Sequence, residues 1–139
     1  MTHPVLTGVV LDTAAVLGWV RRAPYIQTMT WTTAVAGGSV LIPATVLAAA
    51  AADIKPADHD LLAVLLGHPN TLVPALDQAV AGQLGALLAA RRVRDSDPDA
   101  LISAAHAVAE STGRDWPVLT DRPAILAGID PEVRFDTLP

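Results

Sequence analysis

Cysteine is absent from the 139 residues of the sequence. Without a thiol the chain forms no disulfide, no thiolate zinc site and no cysteine nucleophile, and this composition fits a reducing cytoplasm, where we expect the protein to act. Basic residues are also scarce, with nine Lys and Arg against fourteen Asp and Glu, which gives a formal net charge of −5. The charge balance therefore excludes binding to nucleic acid through a generally positive surface.

Long apolar segments are lacking as well. The longest one, Val40 to Ala52, has thirteen residues and contains Pro43, whereas a helix needs about 20 residues to cross a bilayer. No Lys or Arg precedes the first apolar segment, which argues against a signal peptide. We therefore expect no membrane association. What the chain does have is 52% hydrophobic residues, and this content predicts one folded domain over residues 1–139.

Short apolar runs alternate with segments of helical periodicity along the chain. We predict strands at 5–11, 40–42, 71–73, 118–119 and 133–135, and helices at 13–22, 26–36, 45–53, 58–66, 76–92 and 97–111. Alternating strands and helices are typical of parallel strands joined by right-handed crossovers. The sequence therefore predicts a single-domain α/β fold with three layers, in which helices cover both faces of a parallel sheet.

Acidic residues stand beside the ends of two predicted strands. Asp12 directly follows the first strand, Asp121 follows the run 118–120, and Asp99 lies in the first turn of the preceding helix. In an open parallel sheet the functional crevice lies beyond the carboxyl ends of the strands. Each acid taken alone is better explained as a helix cap or turn residue. Gathered in one crevice, however, carboxylates repel one another, and the usual compensation is Mg²⁺ or Mn²⁺, which activates water for phosphodiester cleavage.

Other polar side chains near these acids are candidates for auxiliary roles at the same crevice. Thr13 and Thr120 carry hydroxyls that could orient a water or a phosphate, and Ser103 shares a helix face with Asp99. Arg122 brings a fixed positive charge to the cluster. This charge partly substitutes for that of a metal and weakens the need for one.

Two further features are interpreted mainly as packing. His106 lies seven residues after Asp99, near the same helical stripe, but a lone histidine of this kind is more often structural. Trp19, Trp31 and Trp116 supply most of the aromatic area, which suits a core or an interface. Because large exposed apolar patches are rare on monomers, we expect some surface of so apolar a chain to pair with another copy or with a partner, and a homodimer is the form we expect.

Four segments, taken in order, resemble the successive blocks of a bacterial PIN domain. They are VLDTAAVL at 10–17, VLIPATVLA at 40–48, DPDALISAA at 97–105 and PVLTD at 117–121. Each is commonplace alone, and the ordered set, which covers nearly the whole chain, is what is distinctive. The resemblance implies a sheet of about five parallel strands, a Mg²⁺ or Mn²⁺ site of clustered acids, and endoribonuclease activity on RNA of the VapC toxin type, neutralised by an antitoxin protein.

The acidic positions that the resemblance implies are only half filled. Asp12 matches the first acid of the family pattern, and Asp99 matches the acid before the Ala-Leu-Ile run. The glutamate of the pattern falls at Ala48 or Ala49, in a helix that contains no Glu. This departure puts the completeness of a metal site in doubt.

The last acid of the pattern also differs, because Arg122 takes its place and Asp121 stands one residue too early. Two hypotheses follow. In the first, the chain is a metal-dependent endoribonuclease in which Asp12, Asp99 and Asp121 are the catalytic residues and metal ligands. In the second, it is a non-catalytic PIN-like module that binds RNA or a protein. Side chains converging on one point favour the first hypothesis, and a scattered set favours the second.

Overall fold

Five parallel strands form one sheet in the order β3-β2-β1-β4-β5. The computed structural model describes residues 7–91 and 98–139, without the side chains of 98–100. The strands are β1 (Gly8–Leu11), β2 (Ser39–Leu41), β3 (Thr71–Leu72), β4 (Val118–Thr120) and β5 (Phe135–Thr137). The predicted α/β class and parallel sheet are confirmed.

Within the described residues, seven helices connect the strands. They are α1 (Thr13–Val20), α2 (Pro24–Val35), α3 (Ala44–Ala52), α4 (His59–Gly67), α5 (Gln78–Ala90), α6 (Pro98–Arg114) and α7 (Pro123–Ile129), with a short 3-10 turn at Pro56–Asp58. Helix α6 packs against α3, α5 and α7 and against the two central strands β1 and β4. In the described part of the chain no helix combines the length and apolar character needed to cross a bilayer.

The three inner strands, β2, β1 and β4, are mostly apolar because both of their faces are buried. Val10, Leu11, Leu41, Val118 and Leu119 are all fully inaccessible to solvent. Strands of a parallel sheet that are covered on both sides show such continuous runs of Val and Leu, without alternation of polar residues. The lack of alternation in the sequence therefore has a direct structural cause.

Two elements near the C-terminal end differ from the sequence-based prediction. Helix α7 was not predicted, since its seven residues span only about two turns and show too little helical periodicity. The last strand lies at Phe135–Thr137 instead of 133–135. It is an edge strand with three exposed residues, so it lacks the apolar signal of a buried strand, and the apolar Val133 packs in the loop before it. The start of the first predicted strand, residues 5–6, lies outside the described residues.

The direction of the connections changes at the centre of the sheet. From β1 the chain proceeds to β2 and β3 on one side, and it returns to place β4 and β5 on the other side. The carboxyl ends of β1 and β4 therefore flank the switch point, which is where open α/β sheets bind ligands. Leu11 of β1 pairs with Leu119 of β4. The residues that follow, Asp12 and Thr120, are consequently neighbours at this edge.

Candidate functional site

Asp12 is the buried charge at the switch point. Its accessibility is 0%, its backbone N–H donates to the carbonyl of Leu119 over 3.1 Å, and it is the N-cap of α1. The backbone N–H of Thr13 donates to its Oδ1 over 2.9 Å. Strand β1 and the start of α1 thus fix this carboxylate from two sides.

Arg122 forms a bidentate ion pair with this carboxylate. Its Nε donates to Oδ2 of Asp12 and its Nη2 to Oδ1, each over 2.8 Å. The hydroxyl of Thr120 donates to Oδ2 over 2.7 Å. Together with the contact from the Thr13 backbone, each carboxylate oxygen accepts two hydrogen bonds. An ionised carboxylate offers about four acceptor positions, so the described contacts fill the carboxylate of Asp12.

The arginine is held in place by contacts of its own. The backbone N–H of Arg122 donates to Oγ1 of Thr120 over 3.0 Å, and its Nη2 donates to Oγ of Ser103 over 3.1 Å. Arg122 is also the residue that precedes α7, where Pro123 takes the first helical position. Thr120 therefore connects both members of the ion pair, and Ser103 of α6 contacts the guanidinium.

Electrostatics keep Arg122 charged in this setting. Its hydrogen bonds to Asp12 are the main cause that raises its pKa above the ordinary value, and the negative charges of Asp12 and Asp121 add to this effect against the opposing effect of burial. The side chain is 23% exposed. Among the described residues, the chain itself therefore supplies a positive charge at the strand-end crevice.

The structure brings some of the other predicted site residues to Asp12 and places others elsewhere. The structure brings Thr120, Ser103 and Arg122 to Asp12. Asp121 is exposed and lines a separate depression beside α1 with Ala14, Gly18 and Leu138.

Two further predicted residues lie near the start of their helices. The Oγ1 of Thr13 is buried and has no hydrogen-bond partner among the described residues. The backbone of Asp99 lies in the first turn of α6, as the sequence indicates. Its side chain lies outside the described part of the structure.

The described residues do not fit Mg²⁺ or Mn²⁺. A cation at Asp12 would have to displace the guanidinium, since no acceptor position of that carboxylate is left over. Ala48 and Ala49, where the resemblance implies a glutamate, are exposed alanines on α3. Within residues 7–91 and 101–139, no group of three or more His, Asp or Glu side chains is placed to hold a metal. The sequence indicates a positive charge at Arg122, but no pattern in it determines that this side chain points to Asp12.

His106 lies at a different place, between α3 and α6. It is fully buried, its Nδ1 is 2.9 Å from the hydroxyl of Thr45, and its Nε2 is 3.6 Å from Oε1 of Glu110. Burial lowers the pKa of this histidine, and the nearby Glu110 opposes that effect only in part. A neutral imidazole that joins two helices agrees with the packing interpretation of the sequence.

Helices α2 and α4 carry an apolar surface away from the crevice. Trp31 is 70% exposed, and Val35 and Val64 are exposed to a similar extent. Trp31 and Val64 line a groove together with Trp19 and Leu65. We call the set Trp31, Val35 and Val64 the apolar patch.

The fold has a counterpart among solved structures. The chain is similar to a chain in the crystal structure of VapBC2 from Rickettsia felis bound to a DNA fragment from their promoter, with a TM-score of 0.68 and 16% sequence identity over 94% of this chain and 98% of that one. The fold is PIN-like. No family model matches the sequence, and no curated protein matches it. At this identity the similarity concerns the fold, and the predicted PIN-like architecture is confirmed to that extent.

Proposed function

We propose that this chain is a PIN-like protein of the toxin–antitoxin type that acts by binding a protein partner and does not cleave RNA with a metal at Asp12. The observation that carries the proposal is the filled carboxylate of Asp12. A ribonuclease of the kind that the resemblance implies needs this oxygen pair for a cation, whereas here Arg122 and Thr120 occupy it.

Charge and surface character support a protein partner over RNA. The net charge of −5 disfavours the phosphate contacts that supply most of the affinity for nucleic acid. The apolar patch offers the kind of exposed aromatic and aliphatic area that is typical of protein interfaces. The structural neighbour comes from a VapBC2 assembly, so an antitoxin-like protein is the partner we propose, with homodimerisation as a second use of the same apolar surface.

Endoribonuclease activity is the second candidate, and the acids at the switch point favour it. In that case Asp12, Asp99 and Asp121 would be the ligands of Mg²⁺ or Mn²⁺ and the catalytic residues, and Thr13, Thr120 and Ser103 would assist them. This function requires that Arg122 leave Asp12. The described geometry therefore ranks it below the binding function.

RNA cleavage by the purified protein in Mn²⁺ or Mg²⁺ separates the two candidates. We expect the wild type to show no cleavage beyond that of Asp12→Asn and Asp99→Asn, because residual activity common to all three would come from contamination. Cleavage that needs the metal and is lost in both variants would overturn the binding proposal.

The binding function needs its own measurement. We expect the product of the adjacent gene, when co-expressed with the chain, to form a complex that size-exclusion chromatography detects, and Trp31→Ser to weaken it. Arg134→Ala serves as the control, because Arg134 is exposed and lies far from the residues of the apolar patch in the sequence. A complex of equal strength in both variants would show that the apolar patch is not the interface.

A further inference from the structure

We propose that the guanidinium of Arg122 takes the place of a divalent cation at Asp12, so that the crevice is a cation site filled from within the chain. Removing the guanidinium should convert it into a Mn²⁺ site. The inference rests on the proposed function only in holding that the wild-type site has no metal-dependent activity.

The groups around the guanidinium are the first argument. Its nitrogens donate to Oδ1 and Oδ2 of Asp12 and to Oγ of Ser103. The hydroxyl oxygen of Thr120 adjoins the same carboxylate. All of these acceptors are oxygens, which are the ligands that hard divalent cations prefer. Deleting the guanidinium would leave a space lined by oxygen atoms and next to a negative charge.

The burial of Asp12 is the second argument. A carboxylate with 0% accessibility is costly to keep ionised unless a positive charge lies against it. The backbone N–H of Thr13 and the hydroxyl of Thr120 hold the carboxylate in position independently of Arg122. Its position would therefore persist without the arginine, whereas its charge would need a new partner.

Access from solvent is the third argument. The side chain of Arg122 is 23% exposed while that of Asp12 is fully buried. The arginine side chain therefore extends from the partly exposed surface to the buried carboxylate. Shortening it to alanine should open a route by which a dissolved ion reaches the carboxylate oxygens.

The test is Mn²⁺ binding to purified protein by isothermal titration calorimetry, with the melting temperature with and without Mn²⁺ as a second readout. We expect Arg122→Ala to bind Mn²⁺ at least tenfold more tightly than the wild type and to melt at a higher temperature when Mn²⁺ is present. The double variant Asp12→Asn with Arg122→Ala should lose both effects. Arg122→Lys keeps a positive charge at the site and should gain neither.

Each other outcome overturns the inference. Equal Mn²⁺ binding by the wild type and Arg122→Ala would show that the arginine does not occupy a cation site, and a gain that survives Asp12→Asn would place the ion elsewhere. If Arg122→Ala does not fold, Arg122→Gln, which keeps a neutral donor near Asp12, is titrated instead under the same criteria. A wild type that cleaves RNA would defeat the proposed function, whereas an inert wild type whose variants gain no Mn²⁺ binding would defeat this inference alone.

Discussion

Replacing Arg122 with alanine should destabilise the fold by about 3 kcal/mol, because it leaves the carboxylate of Asp12 buried without a counter-charge. Breaking a buried ion pair from one side costs about 3–5 kcal/mol. The lower end of this range applies here, since two donors to the carboxylate remain and the gap left by the side chain admits water. The net contribution of the ion pair to stability is smaller than this loss, because the loss also includes the cost of leaving the charge of Asp12 buried without a partner.

The expected change in melting temperature can be worked out from the length of the chain. The entropy of unfolding is about 2.1 cal/mol/K per residue, which for 139 residues gives roughly 0.3 kcal/mol/K. A loss of about 3 kcal/mol should thus lower the melting temperature by about 10 °C. Urea denaturation followed by circular dichroism in metal-free buffer measures the same loss as a free energy of unfolding.

An exposed ion pair of the same residue types provides the matched control. Arg134 and Asp115 lie 3.3 Å apart with side chains 58% and 81% exposed, and such pairs contribute about 0–1 kcal/mol. Arg134→Ala should therefore change the free energy of unfolding by roughly 0.5 kcal/mol or less. Similar small losses for Arg122→Ala and Arg134→Ala would refute the reasoning, since they would show that burial gives the Asp12 pair no special importance.

Two further predictions concern buried polar groups. Thr120→Val should lower the free energy of unfolding, measured by urea denaturation, by about 1–3 kcal/mol, because Asp12 and the backbone N–H of Arg122 both lose a hydrogen-bond partner. Thr120→Ser keeps the hydroxyl and should lower it less. Equal losses of stability in the two variants would contradict this role of the hydroxyl. Burial lowers the pKa of His106 below 6.5 despite the nearby Glu110. Below that pH the unfolded chain therefore binds more protons than the folded protein, and the free energy of unfolding should fall as the pH decreases from 7 to 5. His106→Gln should show a smaller decline in its urea midpoint over this range, and parallel declines would refute the assignment.

The sequence predicts the central part of the fold well. The buried strands contain continuous apolar runs, as in residues 8–11 and 118–119, and the long helices have capping and periodicity signals. The elements that differ, α7 and β5, are short and lie toward one edge of the sheet. Their positions depend on packing against the rest of the molecule more than on any local signal, which is why sequence patterns did not locate them.

For the candidate site, the sequence predicts the location but not the contacts. The switch-point rule places Asp12 and Thr120 at one edge, and the structure agrees. Position 121 and position 122 are adjacent in sequence, yet Asp121 is exposed while Arg122 points inward to the carboxylate. The backbone dihedral angles after β4 determine which of the two side chains enters the crevice, and a single sequence carries no readable signal for them.

The ion pair at the switch point also constrains the order in which the chain can fold. Asp12 and Arg122 are 110 positions apart in the sequence, so on a ribosome that adds about 5–20 residues per second the carboxylate exists for roughly 5–20 s before its partner is made. During that interval the carboxylate must stay hydrated, and β1 cannot reach its native burial beside β4. Closing a contact of such long range late in synthesis slows folding. The pairing of β1 with β4 therefore forms only after most of the residues between them have been synthesised, whereas β1 can pair with β2 earlier.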